Sequence, residues 1–296
     1  MITLEQCPCC GAREFEPWTE ATDFRGSQES FRIERCTQCG MGATRPRPDD
    51  SELGRYYPKG SYVSHQDRAR SLFDRVYFQV QKRNLAFKDR VVSAKVRMGR
   101  LLDYGCGAGS FAGYMRDLGW SVSGVELDPE AARLASERIG QTVLAPADWT
   151  PEPDSQDIIT LWHVLEHLPD PEDRLRSFYR ALRPGGHLLI AVPNTASLDR
   201  AHYDRHWAAW DVPIHLWHFQ SVSVRALFER AGFENAGSQP MPYDAYYIAM
   251  LSEQNRKNPL WWAAGLWQGW RSAVHGKKTG EGSSVIWWAK KPEMGA

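Results

Sequence analysis

Short apolar runs alternate with amphipathic stretches along most of this chain. Leu101-Leu102, Ser121–Val125, 141–144, 233–239 and Ser284–Lys290 read as strands, and apolar positions recur at helical spacing over 111–118 and 222–231. Strands alternating with helices in this way predict an α/β domain with a doubly wound sheet. Upstream, Leu72, Phe73, Val76, Tyr77 and Val80, then Leu85, Phe87, Val91 and Val92, mark one or two amphipathic helices between Asp67 and Arg100. Lys and Arg fill many of the intervening positions, so the outer face of these helices is read as basic, either solvated or a dock for an acidic partner. Nearer the start, 14–18 and 30–34 read as short strands around the polar turn Asp23-Phe24-Arg25-Gly26. Thr44-Arg45-Pro46-Arg47-Pro48-Asp49 follows as a proline-rich exit that cannot continue a ladder.

Composition sharpens this picture in three ways. The 296 residues allow one α/β domain of roughly 200 residues plus an appendage. Lys plus Arg and Asp plus Glu balance at 36 each, so any nucleic-acid or membrane partner has to be argued from a local patch. No leader pattern and no apolar run of spanning length are evident, which predicts a cytoplasmic protein.

Five of the six cysteines fall into two groups, Cys7-Pro-Cys9-Cys10-Gly11 and Cys36-Thr-Gln-Cys39-Gly40, and four of them form two Cys-x-x-Cys pairs. Thiols three positions apart with glycine following let a tight turn aim both sulfurs at one tetrahedral ion. Cys7, Cys10, Cys36 and Cys39 are therefore read as a closed structural Zn²⁺ site that supplies folding energy to a segment too small for its own core. Cys9 is the spare thiol.

Leu101-Leu102-Asp103-Tyr104-Gly105-Cys106-Gly107-Ala108-Gly109 is an apolar strand entering a glycine-rich turn. Gly105, Gly107 and Gly109 permit positive φ and let backbone approach a ligand without Cβ atoms intervening. Glu126 ends the next strand, about 20 residues on, where an acidic side chain can take the ribose hydroxyls of a nucleoside. A dinucleotide fingerprint would need glycine at 110, where Ser110 stands.

Gly-x-Gly-x-Gly after Asp103 resembles the first motif of class I S-adenosylmethionine-dependent methyltransferases. The resemblance implies a seven-stranded Rossmann-like sheet, with Asp103 helping to hold the methionine amino group. It extends to a fourth strand at 157–162 leading into His163-Val164-Leu165-Glu166-His167, and to a turn and fifth strand within 182–194. Asp148 and Trp149 resemble the stretch that meets the adenine, and His163 is expected to line the cofactor. The ribbon, Arg45-Pro46-Arg47-Pro48 and Tyr56-Tyr57-Pro58-Lys59-Gly60-Ser61-Tyr62 look like the methyltransferases of polysaccharide and secondary-metabolite pathways. That resemblance implies a small-molecule or glycan acceptor.

Transfer to a hydroxyl needs a base, and histidine suits that task near neutral pH. His215, in Pro213-Ile214-His215-Leu216-Trp217-His218, is the preferred candidate, with His163 and His206 behind it. His163, Glu166 and His167 lie on one face of a helical turn and resemble the Glu-x-x-Glu-His of ubiquinone-type O-methyltransferases. His in the first position disfavours Mg²⁺, so a plain turn is the expectation. Trp207, Trp210 and Trp217 form either a stacking surface for a ring or a satellite core. Trp261, Trp262, Leu266, Trp267 and Trp270 recur at helical spacing after Asn258-Pro259. This helix is expected to face outward, and 258–272 to meet a membrane surface, a lipid-linked substrate or a second subunit in a homodimer.

The organisation expected is a zinc ribbon at 1–48, a linker with basic helices at 49–98, and a methyltransferase domain at 99–296 with a Trp-rich insertion at 243–280. The expected function is O-methylation of a small-molecule or glycan hydroxyl by a cytoplasmic enzyme, peripheral at the membrane if the Trp-rich segment binds lipid. An RNA methyltransferase is the alternative, disfavoured by zero net charge. A noncatalytic cofactor-binding scaffold is the other.

Overall fold

A computed structural model describes residues 1–57 and 72–293. The start of the expected basic helix at 67–71 and the motif residues 58–62 lie outside the described residues. In chain order the elements are β1 (Phe15–Thr22), β2 (Ser30–Cys36), β3 (Gly42–Thr44), α1 (Asp50–Leu53), α2 (Leu72–Ser93), β4 (Arg100–Tyr104), α3 (Ser110–Asp117), β5 (Ser121–Val125), α4 (Pro129–Ile139), β6 (Gln156–Trp162), α5 (Pro171–Ala181) and β7 (Leu182–Pro193). α6 (Leu198–Tyr203), β8 (Trp217–His218), α7 (Ser221–Arg230), β9 (Glu234–Pro240), α8 (Asp244–Asn255), α9 (Trp261–Thr279) and β10 (Ser284–Lys290) complete them. One sheet has the order β1-β2-β3-β8 and the other β5-β4-β6-β7-β10-β9.

The larger sheet has six strands among the described residues, where the resemblance implied seven. Residues 141–144, expected as the third strand, make only a single parallel bridge, Val125 with Leu144. α4 ends at Gly140 in the left-handed region, and Pro146 has no amide to donate, so too little chain remains between them to extend a ladder.

The chain divides into two compact units: Met1–Pro58, His163–Arg176 and Ala191–Trp288 form the first, and Lys59–Trp162, Ser177–Ile190 and Ala289–Ala296 the second. In the second unit β4 runs parallel to both β5 and β6. Leu101, Leu102, Val125, Ile158 and Ile159 are fully buried there, as expected of strands covered on both faces. α3 and α4 touch at Gly109, where a Cβ would lie 2.8 Å from the Ala135 Cα. Asp128 caps α4 by accepting from the Ala131 amide at 2.8 Å, and Pro129 supplies the first-turn residue that lacks a donor.

In the first unit β1 and β2 pair antiparallel around the predicted polar turn. The Asp23 carboxylate closes that turn by accepting from the Arg25, Gly26 and Ser27 amides at 3.2, 2.9 and 2.7 Å. β3 then pairs antiparallel with β8, so the cysteine segment shares its sheet with residues 217–218. Trp207 and Trp210 are fully buried with Ala21, Phe31, Ile33 and Tyr203 in one core cluster. Trp217 is buried as well, and its indole donates to the Leu168 carbonyl at 2.6 Å. All three tryptophans are therefore buried, as in the satellite-core alternative, and each indole N–H has a hydrogen-bond acceptor.

α8 and α9 pack through glycine. A Cβ at Gly265 would lie 2.6 Å from the Met250 Cα, and one at Gly269 2.6 Å from the Tyr246 Cα. Gly269→Leu is expected to destabilise the fold by about 1–3 kcal/mol from overpacking, a cost that the helix-propensity gain of about 1 kcal/mol does not offset. Urea unfolding with an unchanged m-value checks this; an unchanged midpoint would contradict the close packing.

Candidate functional site

Three glycines in the left-handed region, Gly105, Gly107 and Gly109 with φ of 74°, 53° and 75°, shape the turn between β4 and α3. Their amides find acceptors close by. Gly105 N–H donates to the Val125 carbonyl at 2.7 Å, and Gly109 N–H to the Cys106 carbonyl at 3.0 Å. Gly107 N–H donates to Glu126 Oε2 at 2.7 Å, while Glu126 Oε1 accepts from the Leu127 and Asp128 amides, each at 2.9 Å. Glu126 is thereby fixed, buried, just beyond β5.

Asp103 sits at the end of β4 with its carboxylate accepting from Thr160 Oγ1 at 2.7 Å. Burial raises its pKa to about 6, against the Thr160 hydrogen bond and the Lys88 charge, with Glu126 adding to the rise. Lys88 was missed by the sequence reading, which put the cations of this helix on its outer face. The ammonium lies 4.4 Å from the Trp162 ring centroid and 5.7 Å from that of Phe111, close enough to lower the Asp103 pKa. The signal was present in the sequence: Lys88 follows Leu85 by three positions and precedes Val92 by four, which places it on the apolar stripe. Asp148 is exposed, and Trp149 is half-buried with its ring 5.7 Å from those of Tyr104 and Phe178.

In the first unit His163 has a φ of 59°, an uncommon conformation for a side chain that carries a Cβ. Its Nε2 lies 2.8 Å from Asp244 Oδ2 and its Nδ1 3.4 Å from Glu166 Oε1. Burial opposes a charge on this ring, but Asp244 and Glu166 outweigh it and lift the pKa to about 10. His167 goes the other way: burial, then the neighbouring His215 charge, push it down to about 4.

His215 is buried, and its Nδ1 lies 3.0 Å from the Ala209 carbonyl. A carbonyl only accepts, so Nδ1 carries the proton and the lone pair of the neutral ring is on Nε2, 4.0 Å from Asp211 Oδ2. Glu166, His167 and His215 each bring a ligand-type atom within 4.8 Å of the others. His163 is outside that group. Both Glu166 oxygens are buried without a hydrogen-bond donor, and although burial disfavours its charge, His163, His215 and His167 hold the carboxyl below its ordinary pKa. His206 stacks on Phe24 at 5.9 Å, and His218 Nε2 lies 3.0 Å from Thr44 Oγ1, so neither joins this group.

Cys7, Cys10, Cys36 and Cys39 bring their sulfurs within 4.8 Å of one another. Cys7 and Cys39 are 3.6 Å apart and Cys10 and Cys36 3.5 Å, close to the ~3.8 Å edge of a tetrahedron with ~2.3 Å zinc–sulfur bonds. The two knuckles match in backbone detail. Gly11 N–H donates to the Cys7 carbonyl at 2.8 Å and Gly40 N–H to the Cys36 carbonyl at 2.9 Å, and both glycines are left-handed. Cys9 is buried against Met41, with Sγ 3.1 Å from Sδ.

Over residues 70–237 the chain matches the protein family described as "Methyltransferase domain". It is similar to the ubiquinone biosynthesis O-methyltransferase of Cupriavidus pinatubonensis, with 35% identity over 107 residues that cover 32% of this chain and 41% of that protein. Its likeness to the enzyme of the same description from Aeromonas salmonicida is 35% over 103 residues, 32% of this chain and 43% of the relative. The chain thus spans less than half the length of the curated relatives it matches. Among solved structures, a Thermotoga maritima protein described as a SAM-dependent methyltransferase, possible histamine N-methyltransferase, shares the fold. The TM-score is 0.52 at 20% identity, over 73% of this chain and 94% of that one.

His163 should retain its proton well above neutral pH, with an imidazole midpoint near 10. Because this raised value belongs to the folded state, the stability it contributes is fully present below about 6.5 and is lost as pH rises through the folded value. Proton NMR of the imidazole checks the midpoint, and Asp244→Asn is expected to move it down; a wild-type midpoint near 6.5 would contradict the paired geometry.

Proposed function

The chain belongs to the methyltransferase-domain family, and from that premise we propose that it transfers a methyl group from S-adenosylmethionine to a hydroxyl oxygen of a small-molecule or glycan acceptor. The observation that carries this reading is the pair of buried carboxylates, Asp103 and Glu126, at the ends of adjacent parallel strands around three left-handed glycines. The arrangement suits a nucleoside bearing a charged amino-acid end. Asp103, Gly105, Gly107, Gly109, Glu126, Asp148, Trp149 and His163 are the residues assigned to hold it, and Lys88 joins them as a cation beside Asp103. When bound, S-adenosylmethionine supplies an electrophilic methyl on a sulfonium.

The remaining task for the protein is to orient the acceptor and accept its proton. His215 takes the base role in this reading, since its Nε2 has the lone pair and lies 4.0 Å from Asp211 Oδ2. His163 is less suited, because a ring protonated up to about 10 has no lone pair to offer at neutral pH. The O-methyltransferase description of the relatives supports oxygen as the atom methylated. The four thiols of the ribbon are assigned one structural Zn²⁺.

Glu126→Ala is expected to weaken S-adenosylmethionine binding by about 1–3 kcal/mol in calorimetry, because it unpairs the amides and the ribose hydroxyls. Unchanged affinity would remove the assignment. His215→Gln should lower kcat by about a hundredfold or more while leaving cofactor affinity intact. Turnover of labelled cofactor against phenolic and sugar hydroxyls measures it, and cofactor binding with no turnover on any acceptor would favour the scaffold alternative. For the ribbon, one equivalent of zinc is expected, falling in Cys39→Ser; full occupancy in that variant would sink these ligands.

A further inference from the structure

α9 is built inside out for a soluble surface helix. Its inward side consists of Gly265, Gln268, Gly269, Ser272 and Gly276, all buried. Its outward side carries Trp262, Trp267 and Trp270, which are 54%, 61% and 47% exposed, together with exposed Leu266. The inward set explains the helix's seat: the glycines bring it against α8, and Ser272 Oγ donates to buried Asp199 at 2.9 Å. None of that requires tryptophan outside. Trp267 and Trp270 stack on each other with centroids 5.0 Å apart, which makes one continuous aromatic patch.

The charge pattern says what fits this patch. The whole chain balances its charges, yet residues 254–280 contain Arg256, Lys257, Arg271, Lys277 and Lys278 and no Asp or Glu. At 100° per residue, Trp262, Leu266, Trp270 and Lys277 fall along one row, with Trp267, Lys278 and Arg271 beside it. Indoles and cations thus share the face turned away from the fold. Nineteen residues make a rod about 28 Å long, and no helix among the described residues is long and apolar enough to cross a membrane.

We propose that the outward face of α9 docks on the surface of an anionic lipid bilayer, lying along it with the indoles at headgroup depth and the lysines against lipid phosphates. Tryptophan suits that layer because its ring is apolar and its N–H needs a polar partner. Each cation near an anionic surface adds to the attraction. A second copy fits less well, because residues 254–280 offer Arg271, Lys277 and Lys278 no carboxylate to pair with across a two-fold contact through this face. Nucleic acid satisfies the cations but leaves exposed Leu260 and Leu266 unmatched. The proposal is independent of the acceptor and of the base.

The test is vesicle sedimentation of the full chain with phosphatidylcholine alone and with added phosphatidylglycerol. Binding is expected only with the anionic lipid, weakening with salt. Lys277→Glu with Lys278→Glu should reduce it about tenfold or more, and Trp262→Ser with Trp267→Ser and Trp270→Ser should abolish it at an unchanged melting temperature. Should the triple variant fold poorly, quenching of wild-type tryptophan fluorescence by bromine-labelled lipid answers the same question. Absence of binding to anionic vesicles overturns the proposal. So does self-association that the triple substitution dissolves, or salt-sensitive RNA binding, if either occurs without vesicle binding.

Discussion

One carboxylate organises the turn on which the second unit is built. The left-handed glycines after β4 turn their amides away from any helical ladder, and Glu126 gathers one of them together with the amides of Leu127 and Asp128. A charged acceptor shared by several backbone donors is stronger than neutral pairs, so the turn before α3 and the end of β5 are locked to each other. That lock is what allows α4 to come down on Gly109 with backbone near contact. The cofactor site proposed above uses the same carboxylate, so in that reading local architecture and ligand recognition draw on one side chain.

The first unit manages charge by dividing it unequally. Several ionisable groups stand close together, and His163, which meets the carboxylates of Asp244 and Glu166, is held protonated while its neighbour His167 is held neutral. Groups whose environments drive their pKa values apart are the usual mark of assigned acid and base roles. At His215 a carbonyl fixes one nitrogen, and Asp211 Oδ2 lies 4.0 Å from the other. Glu166, buried without a donor of its own, is stabilised by the surrounding rings.

What was legible in the sequence was local. The glycine turn, the polar turn at Asp23 and the cysteine knuckles each depend on residues within a few positions, and each forms near its expected place. The expected strand at 141–144 failed because apolar character marks burial, while a ladder also needs length and amide donors. Trp207, Trp210 and Trp217 are ambiguous in sequence because an aromatic cluster has the same spelling whether it meets a ligand or a core; long-range partners separate the two, Phe31 and Ile33 for Trp207 and Trp210 and the Leu168 carbonyl for Trp217. Lys88 was lost by counting cations rather than reading its position on the stripe. The grouping of Met1–Pro58 with 163–176 and 191–288 rests on contacts between distant segments, for which periodicity has no signal.

The last strand of the cysteine segment, β3, has a consequence for how freely that segment can change. Gly42 and Ala43 pair with His218 and Trp217, and Thr44 Oγ1 donates to the His215 carbonyl at 2.7 Å and so accepts from His218 Nε2. A Cβ on Gly42 would sit 2.9 Å from Trp18 and 3.0 Å from the His218 Cβ, so the fit tolerates little variation on either side. The cysteine segment is thus no interchangeable cassette. Exchanging it for a foreign segment would leave 215–218 with mismatched edges, so a change on one side of this contact calls for a matching change on the other.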